Sequence, residues 1–343
     1  MHLGRLLRGA LKVRSEFVPE TGRIPDCRRW FPRHQYVGMQ KMAGSVRNLD
    51  AVIEVHDARI PLCGRNAEFE ATLYRDKPHI LILNKIDLVN LAEREAILTQ
   101  MLKEKFGVRH ILWTNMKANM GGALRSLIDI LIEEAEQKPR YQKLYKAHYE
   151  AMVIGIPNVG KSTLINALRQ RFTGRRGTLL VGDKPGVTRT VHNKVRIYEQ
   201  PPIYILDTPG VMAPNIAYHN AALKLALVNT ISSKAVNNEL IADYLLWFLN
   251  TNQRFDYLPL FDMTMEPTDS VFQFLVELAK IRNMIRKGSS GQASLNLESA
   301  AEFFLRKFRD GSLGDQFLDD DLMEAYRNRV DEPKRRRLRL DPA

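Results

Sequence analysis

The 343 residues carry 51 Lys and Arg against 39 Asp and Glu, a net charge of +12, with 45% hydrophobic and 26% charged residues. That balance is ordinary for a globular chain of two domains, or of one domain with a sizeable appendage, and no apolar run approaches the eighteen or so residues of a membrane span. Cys27 and Cys63 lie far apart without histidines at metal spacing, which excludes a disulfide scaffold and a zinc site and fits a reducing compartment.

The positive charge is uneven. Arg5, Arg8, Lys12 and Arg14 open the chain; Arg169, Arg171, Arg175, Arg176, Lys184, Arg189, Lys194 and Arg196 face Asp183 alone; a run KRRRLR begins at Lys334. Three such clusters point to a polyanionic partner, RNA before an anionic membrane surface. The first fifteen residues, MHLGRLLRGALKVRS, set Leu3, Leu6, Leu7, Ala10 and Leu11 on one helical face and Arg5, Arg8 and Lys12 on another. Basic, amphipathic and free of acids before Glu16, they have the pattern of a mitochondrial presequence.

In chain order, 51–56 (AVIEVH) and 79–83 (HILIL) read as strands. A helix is expected over 91–105, a strand over 109–113 (RHILW) and a helix over 122–136. A fourth strand at 151–155 (AMVIG) precedes a helix at 161–171, and KVRIYE (194–199) and PIYILD (202–207) are two further strands with no helix between them. Strand–helix alternation predicts an α/β fold, a mostly parallel sheet with helices on both faces. Beyond 213 the pattern is helical over 214–250, 270–287 and 298–309, with a flexible break KGSSGQ at 287–292 and no strand, so a separate all-helical domain is expected.

GIPNVGKS (155–162) has the spacing G-x-x-x-x-G-K-S, follows a strand and opens a helix, the context of a phosphate loop. Gly155, Asn158, Val159, Gly160 and Thr163 belong to its nucleotide cradle, Lys161 is placed to reach the β- and γ-phosphates, and Ser162 offers a hydroxyl to Mg²⁺. DTPG (207–210) ends another strand: Asp207 is placed to hold Mg²⁺, and the Gly210 N–H to sense the γ-phosphate. PGVTR (185–189) lies between, where Thr188 could close the Mg²⁺ shell when GTP is bound. NKID (84–87) then reads guanine. Asp87 accepts from the base N1–H and exocyclic amine, Asn84 contacts the base edge and tethers loops, and the Lys85 stem covers the base. The phosphate-loop pattern alone arises by chance in roughly 1% of chains this long; three motifs, each at a strand end, do not.

Their order is unusual. NKID precedes the phosphate loop, which precedes DTPG. A GTPase domain can be circularly permuted because exposed loops tolerate new cuts. The loop after DTPG then leads straight into the helical domain.

On these residues, and on RWFPRHQYVGMQKM (29–42), DARIP (57–61), LKLAL (223–227), ADYLL (242–246) and FRDGSLG (308–314), the chain resembles the circularly permuted GTPases, in particular those that mature the large ribosomal subunit of bacteria and mitochondria. The resemblance runs from about residue 29 to 320. It implies a targeting or flexible arm over 1–28, a permuted P-loop GTPase domain over 29–213, a helical RNA- or ribosome-contacting domain over 214–320 and a basic tail over 321–343. It also implies GTP hydrolysis to GDP, coupled to late assembly of the mitochondrial large subunit on its rRNA, in the matrix and peripheral to the inner membrane. Position 211 holds Val, where many GTPases carry a water-orienting Gln. The family's proposed catalytic histidine matches His34, with Arg33 and Gln35 in place of the usual Gly and Met. Asn158 matches the asparagine that helps hold K⁺ in potassium-activated members, and Thr114 and Asn115 stand where a base-contacting Ser-Ala is usual. A GTP-gated RNA-binding protein with negligible turnover, and a nucleolar or cytosolic assembly GTPase, remain alternatives.

Overall fold

The computed structural model describes residues 12–20, 24, 33–118, 121–137, 148–175, 194–211, 219–231, 236–287 and 293–329. The chain forms two units, Phe31–Ile216 with Asp315–Ala343, and Met1–Trp30 with Ala217–Gly314.

In the first unit, β1 (Ala51–Asp57), β2 (His79–Asn84), β3 (His110–Thr114), β4 (Tyr149–Ile154), β5 (Lys194–Tyr198) and β6 (Ile203–Asp207) make one sheet in the order β3-β2-β1-β4-β6-β5. All pairings are parallel except β5 with β6. Strand β1 is buried at every position. A parallel strand covered on both faces reads as a continuous apolar run, which is why these strands are visible in the sequence.

Helix α1 (Arg33–Val46), the short α2 (Ala67–Phe69) running into a π-helical turn over Glu70–Tyr74, and α3 (Glu95–Phe106) follow one another on one face. Met39, Met42 and Val46 pack there with Val52, Phe69, Leu73, Met152 and Val211, while Leu81 and Leu83 pack with Leu98, Met101 and Leu102. The alternate positions Ile53, Val55, Ile80, Ile82 and Val153 are fully buried toward the other face, where α4 (Gly121–Gln137) and α5 (Lys161–Thr173) bury Leu127, Ile128, Leu164 and Leu168. Two polar residues interrupt β1. Glu54 and His56 are fully buried, and Glu54 bonds His56 Nε2 at 2.7 Å and His79 Nε2 at 2.8 Å. Burial would raise the Glu54 carboxyl, but His56, His79 and Arg65 hold it well below the carboxylate range.

The second unit contains α6 (His219–Leu227), α7 (Asn238–Thr251), α8 (Tyr257–Leu260), α9 (Val271–Ile281) and α10 (Leu297–Arg309). Tyr257, Phe261, Phe274 and Phe304 interlock at its centre, the last two with centroids 4.6 Å apart. Asn237, Ser270 and Asn296 cap α7, α9 and α10.

Three features differ from the sequence reading. The expected helix over 270–287 ends at Ile281, and Ile285–Lys287 (β7) pairs antiparallel with Ala293–Leu295 (β8), so the helical unit carries a small hairpin. Strands this short show no periodicity to read. Residues 12–20, read as part of an arm, are held on the helical unit: Arg14 pairs with Asp243 and Asp269 at 2.8 Å each, Glu20 accepts from the N-terminal Val271 N–H of α9, and Phe17 packs on Tyr244 and Trp247. Residues 315–329, read as the end of the helical domain and a tail, belong to the sheet unit, where Phe317 and Met323 join the cluster around α3 and a helix runs over 320–329. The run KRRRLR and residues 1–11 lie outside the described residues. Among the described residues no helix is long and apolar enough to cross a membrane.

Candidate functional site

The sequence motifs meet at the C-terminal ends of the parallel strands, where open α/β sheets bind ligands. β4 ends at Ile154 and the chain turns through Gly155–Gly160 into α5. The turn needs three residues at positive φ: Gly155 at 143°, Asn158 at 61° and Gly160 at 108°. Asn tolerates that region through its short polar side chain, and Gly through the absence of one. The loop thus delivers backbone N–H groups and the N-terminus of α5 to one point, an arrangement suited to phosphate.

Lys161 is buried and donates to the Ile156 carbonyl at 2.8 Å. Burial pulls its pKa down to about 8, against the pull of Asp207. Asp207 ends β6, and burial pushes its carboxyl up, opposed by Lys161, Thr208 and Ser162. Ser162 Oγ lies 3.5 Å from Asp207 Oδ2, and Asp207 Oδ1 is buried with no hydrogen-bond partner among the described residues. A hydroxyl beside an unsatisfied carboxylate is a hard oxygen donor set, and it fits Mg²⁺. Thr163, in the same first turn of α5, is half-buried.

The DTPG loop is closely held. Thr208 donates to the Val153 carbonyl at 2.6 Å, and Val211 N–H donates to the Gly155 carbonyl at 3.2 Å. A Cβ on Gly210 would come within 2.7 Å of the Pro157 backbone and 3.0 Å of Lys161 Nζ, so only glycine lets the two loops touch. Val211 is fully buried in the α1 cluster and cannot face a water.

NKID arrives from the other half of the sheet. Asn84 ends β2, and its Nδ2 donates to the Val159 carbonyl at 2.8 Å, while its Oδ1 accepts the Met116 N–H at 3.0 Å. Lys85, at φ 66°, donates from Nζ to the Asn158 carbonyl and to Asp57 Oδ2, both at 2.8 Å. Asp87 is exposed in the single 3₁₀ turn that follows. Thr114 is buried with its hydroxyl 3.4 Å from Asn84 Oδ1, so it acts through Asn84; the Asn115 side chain accepts from Lys117 N–H at 3.0 Å.

His34 falls in the first turn of α1, and its side chain lies outside the described residues, as does all of Thr188. The position of α1 is nonetheless fixed. A Cβ on Gly38 would lie 3.2 Å from Pro209, so the helix is in close contact with the DTPG loop. Sequence reasoning missed the buried group behind the NKID loop: Arg59 grips Asp57 with Nε at 2.9 Å and Nη2 at 2.7 Å, beside Lys85. Its signal was an acid and an arginine directly after a buried strand.

The fold and this site define a circularly permuted P-loop GTPase. A family profile described as 50S ribosome-binding GTPase matches residues 150–274. Mitochondrial GTPase 1 of Aedes aegypti is 40% identical over 296 residues, covering 85% of this chain and 93% of that protein. Mitochondrial ribosome-associated GTPase 1 of Bos taurus is 39% identical over 317 residues, covering 90% and 93%. The crystal structure of GNP-bound YlqF from T. maritima shares the fold, with a TM-score of 0.51 and 21% identity over 80% of this chain and 94% of that one. The chain belongs to the mitochondrial ribosome-associated GTPase 1 family, and it is a GTPase.

Proposed function

We propose that this GTPase acts in assembly of the mitochondrial large ribosomal subunit, on its rRNA in the matrix, with hydrolysis stimulated by the subunit and timing release. The carrying observation is the bonding of Asn84 and Lys85 to the carbonyls of Val159 and Asn158. It unites a guanine-reading motif with a phosphate loop despite the permuted order. The ribosomal part of the reading is supported by the names of relatives, among them Ribosome biogenesis GTPase A of Bacillus licheniformis at 28% identity, and by the net charge of +12.

In this reading Asp87 accepts from the guanine edge and the Lys85 stem covers the base. The backbone of Gly155–Gly160 and the start of α5 cradle the phosphates, Lys161 offsets their charge, and burial makes that ammonium await an anion. Ser162 and Asp207, with Thr188 from its loop, would hold Mg²⁺, which would supply positive charge against the phosphates. The Gly210 N–H meets the γ-phosphate. Val211 being buried, the attacking water must be oriented from elsewhere, and His34, in the helix that meets Pro209, is the candidate. The left-handed turn accounts for Asn158 structurally; were K⁺ held by its side chain, the ion would supply further positive charge to the phosphates.

The test is steady-state GTP hydrolysis by protein beginning at Lys12, so that Arg14 keeps its partners. It is run in KCl and NaCl, with and without mitochondrial large subunits, for the parent and His34→Ala. Stimulation by subunits that is lost in His34→Ala and weaker in NaCl is expected. Tight GTP-dependent subunit binding with no stimulation would leave a nucleotide-gated RNA-binding protein instead.

A further inference from the structure

The chain leaves the helical unit at Gly314, and the residues that follow attach to both sides of the base-reading loop. On one side, Gln316 N–H donates to the Leu88 carbonyl at 2.9 Å, and Asp315 accepts the Asn90 N–H at 3.0 Å. Arg94 pairs with Asp315 at 2.6 Å and Asp320 at 2.7 Å, and its guanidinium lies 4.6 Å from the Phe317 ring centroid. On the other side, Gln316 Oε1 accepts from Arg59 Nη1 at 3.0 Å, Leu318 N–H donates to the Arg59 carbonyl at 2.9 Å, and Asp319 accepts the N–H groups of Leu62 and Cys63 at 2.8 and 3.0 Å. Arg59 grips Asp57, and Asp57 takes the Lys85 ammonium. Gln316 and Asp319 are fully buried.

Asp87 needs such support. It sits in one 3₁₀ turn, Ile86–Leu88, entered through a left-handed Lys85. A single turn has almost no stability of its own, yet a carboxylate that reads two hydrogen-bond donors must be held closely in place.

We propose that residues 315–320 are a clamp that positions the guanine-reading turn, with Gln316 as its central positioning residue. Gln316 acts on Lys85 through Arg59 and Asp57, and on Asp87 through the Leu88 carbonyl. This segment of the sheet unit therefore sets how well the GTPase tells guanine from other purines. This rests on the assignment of Asp87 to the guanine edge.

The experiment measures dissociation constants of the full chain for GDP and for IDP, whose hypoxanthine lacks the exocyclic amine that Asp87 reads. Wild type should prefer GDP by roughly tenfold or more, the worth of one hydrogen bond to a charged group. Asp87→Ala is the control: if it leaves the preference intact, the base-site assignment fails, and the clamp is then removed with it. With the control passed, Gln316→Met should cut the GDP/IDP preference several-fold, while Gln316→Glu, which keeps an acceptor for Arg59, should retain it. An unchanged preference in Gln316→Met, or equal weakening of both nucleotides, overturns the clamp. Should Gln316→Met not fold, Arg94→Ala loosens the outer, half-exposed half of the same clamp; there too a lowered preference supports the proposal and an unchanged one overturns it.

Discussion

Asp57 is a buried carboxylate that holds Arg59 and Lys85 together beneath the NKID loop. Burial would raise its pKa, but Arg59 and Lys85 outweigh that and hold it far below the carboxylate range. A depressed folded pKa means that its stabilisation is complete above the unfolded value of about 3.9 and is lost as pH falls below it. Denaturant unfolding of Asp57→Asn should show a loss of about 3 kcal/mol at neutral pH, because the buried Arg59 and the half-buried Lys85 are left without their anion. The variant should also lose part of the parent's decline in stability between about pH 5 and pH 2. Equal stability, or an unaltered acid slope, would show that the pair contributes little. At the phosphate loop, Lys161→Ala should weaken GTP binding by roughly tenfold to a hundredfold, since a charge-assisted bond to phosphate is lost; calorimetric titration reads this directly. At this scale the sequence was most legible. Asn84, Asp87, Lys161, Ser162 and Asp207 stand at strand ends, in a turn and at a helix start, where the short, fixed spacings of their motifs place them. Glu54 with His56 and Asp57 with Arg59 stand two positions apart, but what they bind further was not legible, since His79, Arg65 and Lys85 come from neighbouring strands and loops.

Helix α1 and the strap at 12–20 are the elements whose placement the sequence left open. The spacing of Met39, Met42 and Val46 suits a helical face, yet only the packing of that face on Val211 and of Gly38 on Pro209 shows which loop the helix meets. Gly38→Val should push α1 off Pro209. Single-turnover hydrolysis should then slow by about tenfold or more, a barrier change of about 1.4 kcal/mol, while GTP affinity stays near that of the parent. Unchanged turnover would separate α1, and position 34 with it, from the reaction. The strap makes a different prediction. Asp243 is fully buried and Arg14 supplies its charge partner, so Arg14→Ala should destabilise the helical unit by about 3 kcal/mol. Hydrogen exchange should report this as faster exchange in α7 and α9 with β1 and β2 unaffected. A presequence read from the first fifteen residues therefore overlaps a segment that the folded unit uses, and Arg14 serves the fold.

At the scale of the whole chain, the sequence by itself determined the parallel sheet, the three nucleotide motifs and their permuted order. Those features rest on local rules: apolar runs for buried strands, glycine and asparagine for left-handed turns, and short spacings for phosphate and guanine. Only the tertiary structure decided what each motif leans on. Gln316 meets Arg59 across 257 positions, and Arg14 meets Asp269 across 255. Single hydrogen bonds and ion pairs at such separations leave no periodic trace, because they become favourable only after the core has paid the entropy of bringing distant segments together. The hairpin β7–β8 went unread for a related reason, since its two strands are each too short to carry a pattern. The chemistry of this GTPase is written in its loops, whereas the attachment of residues 315–320 to the base-reading turn exists only once the sheet has assembled.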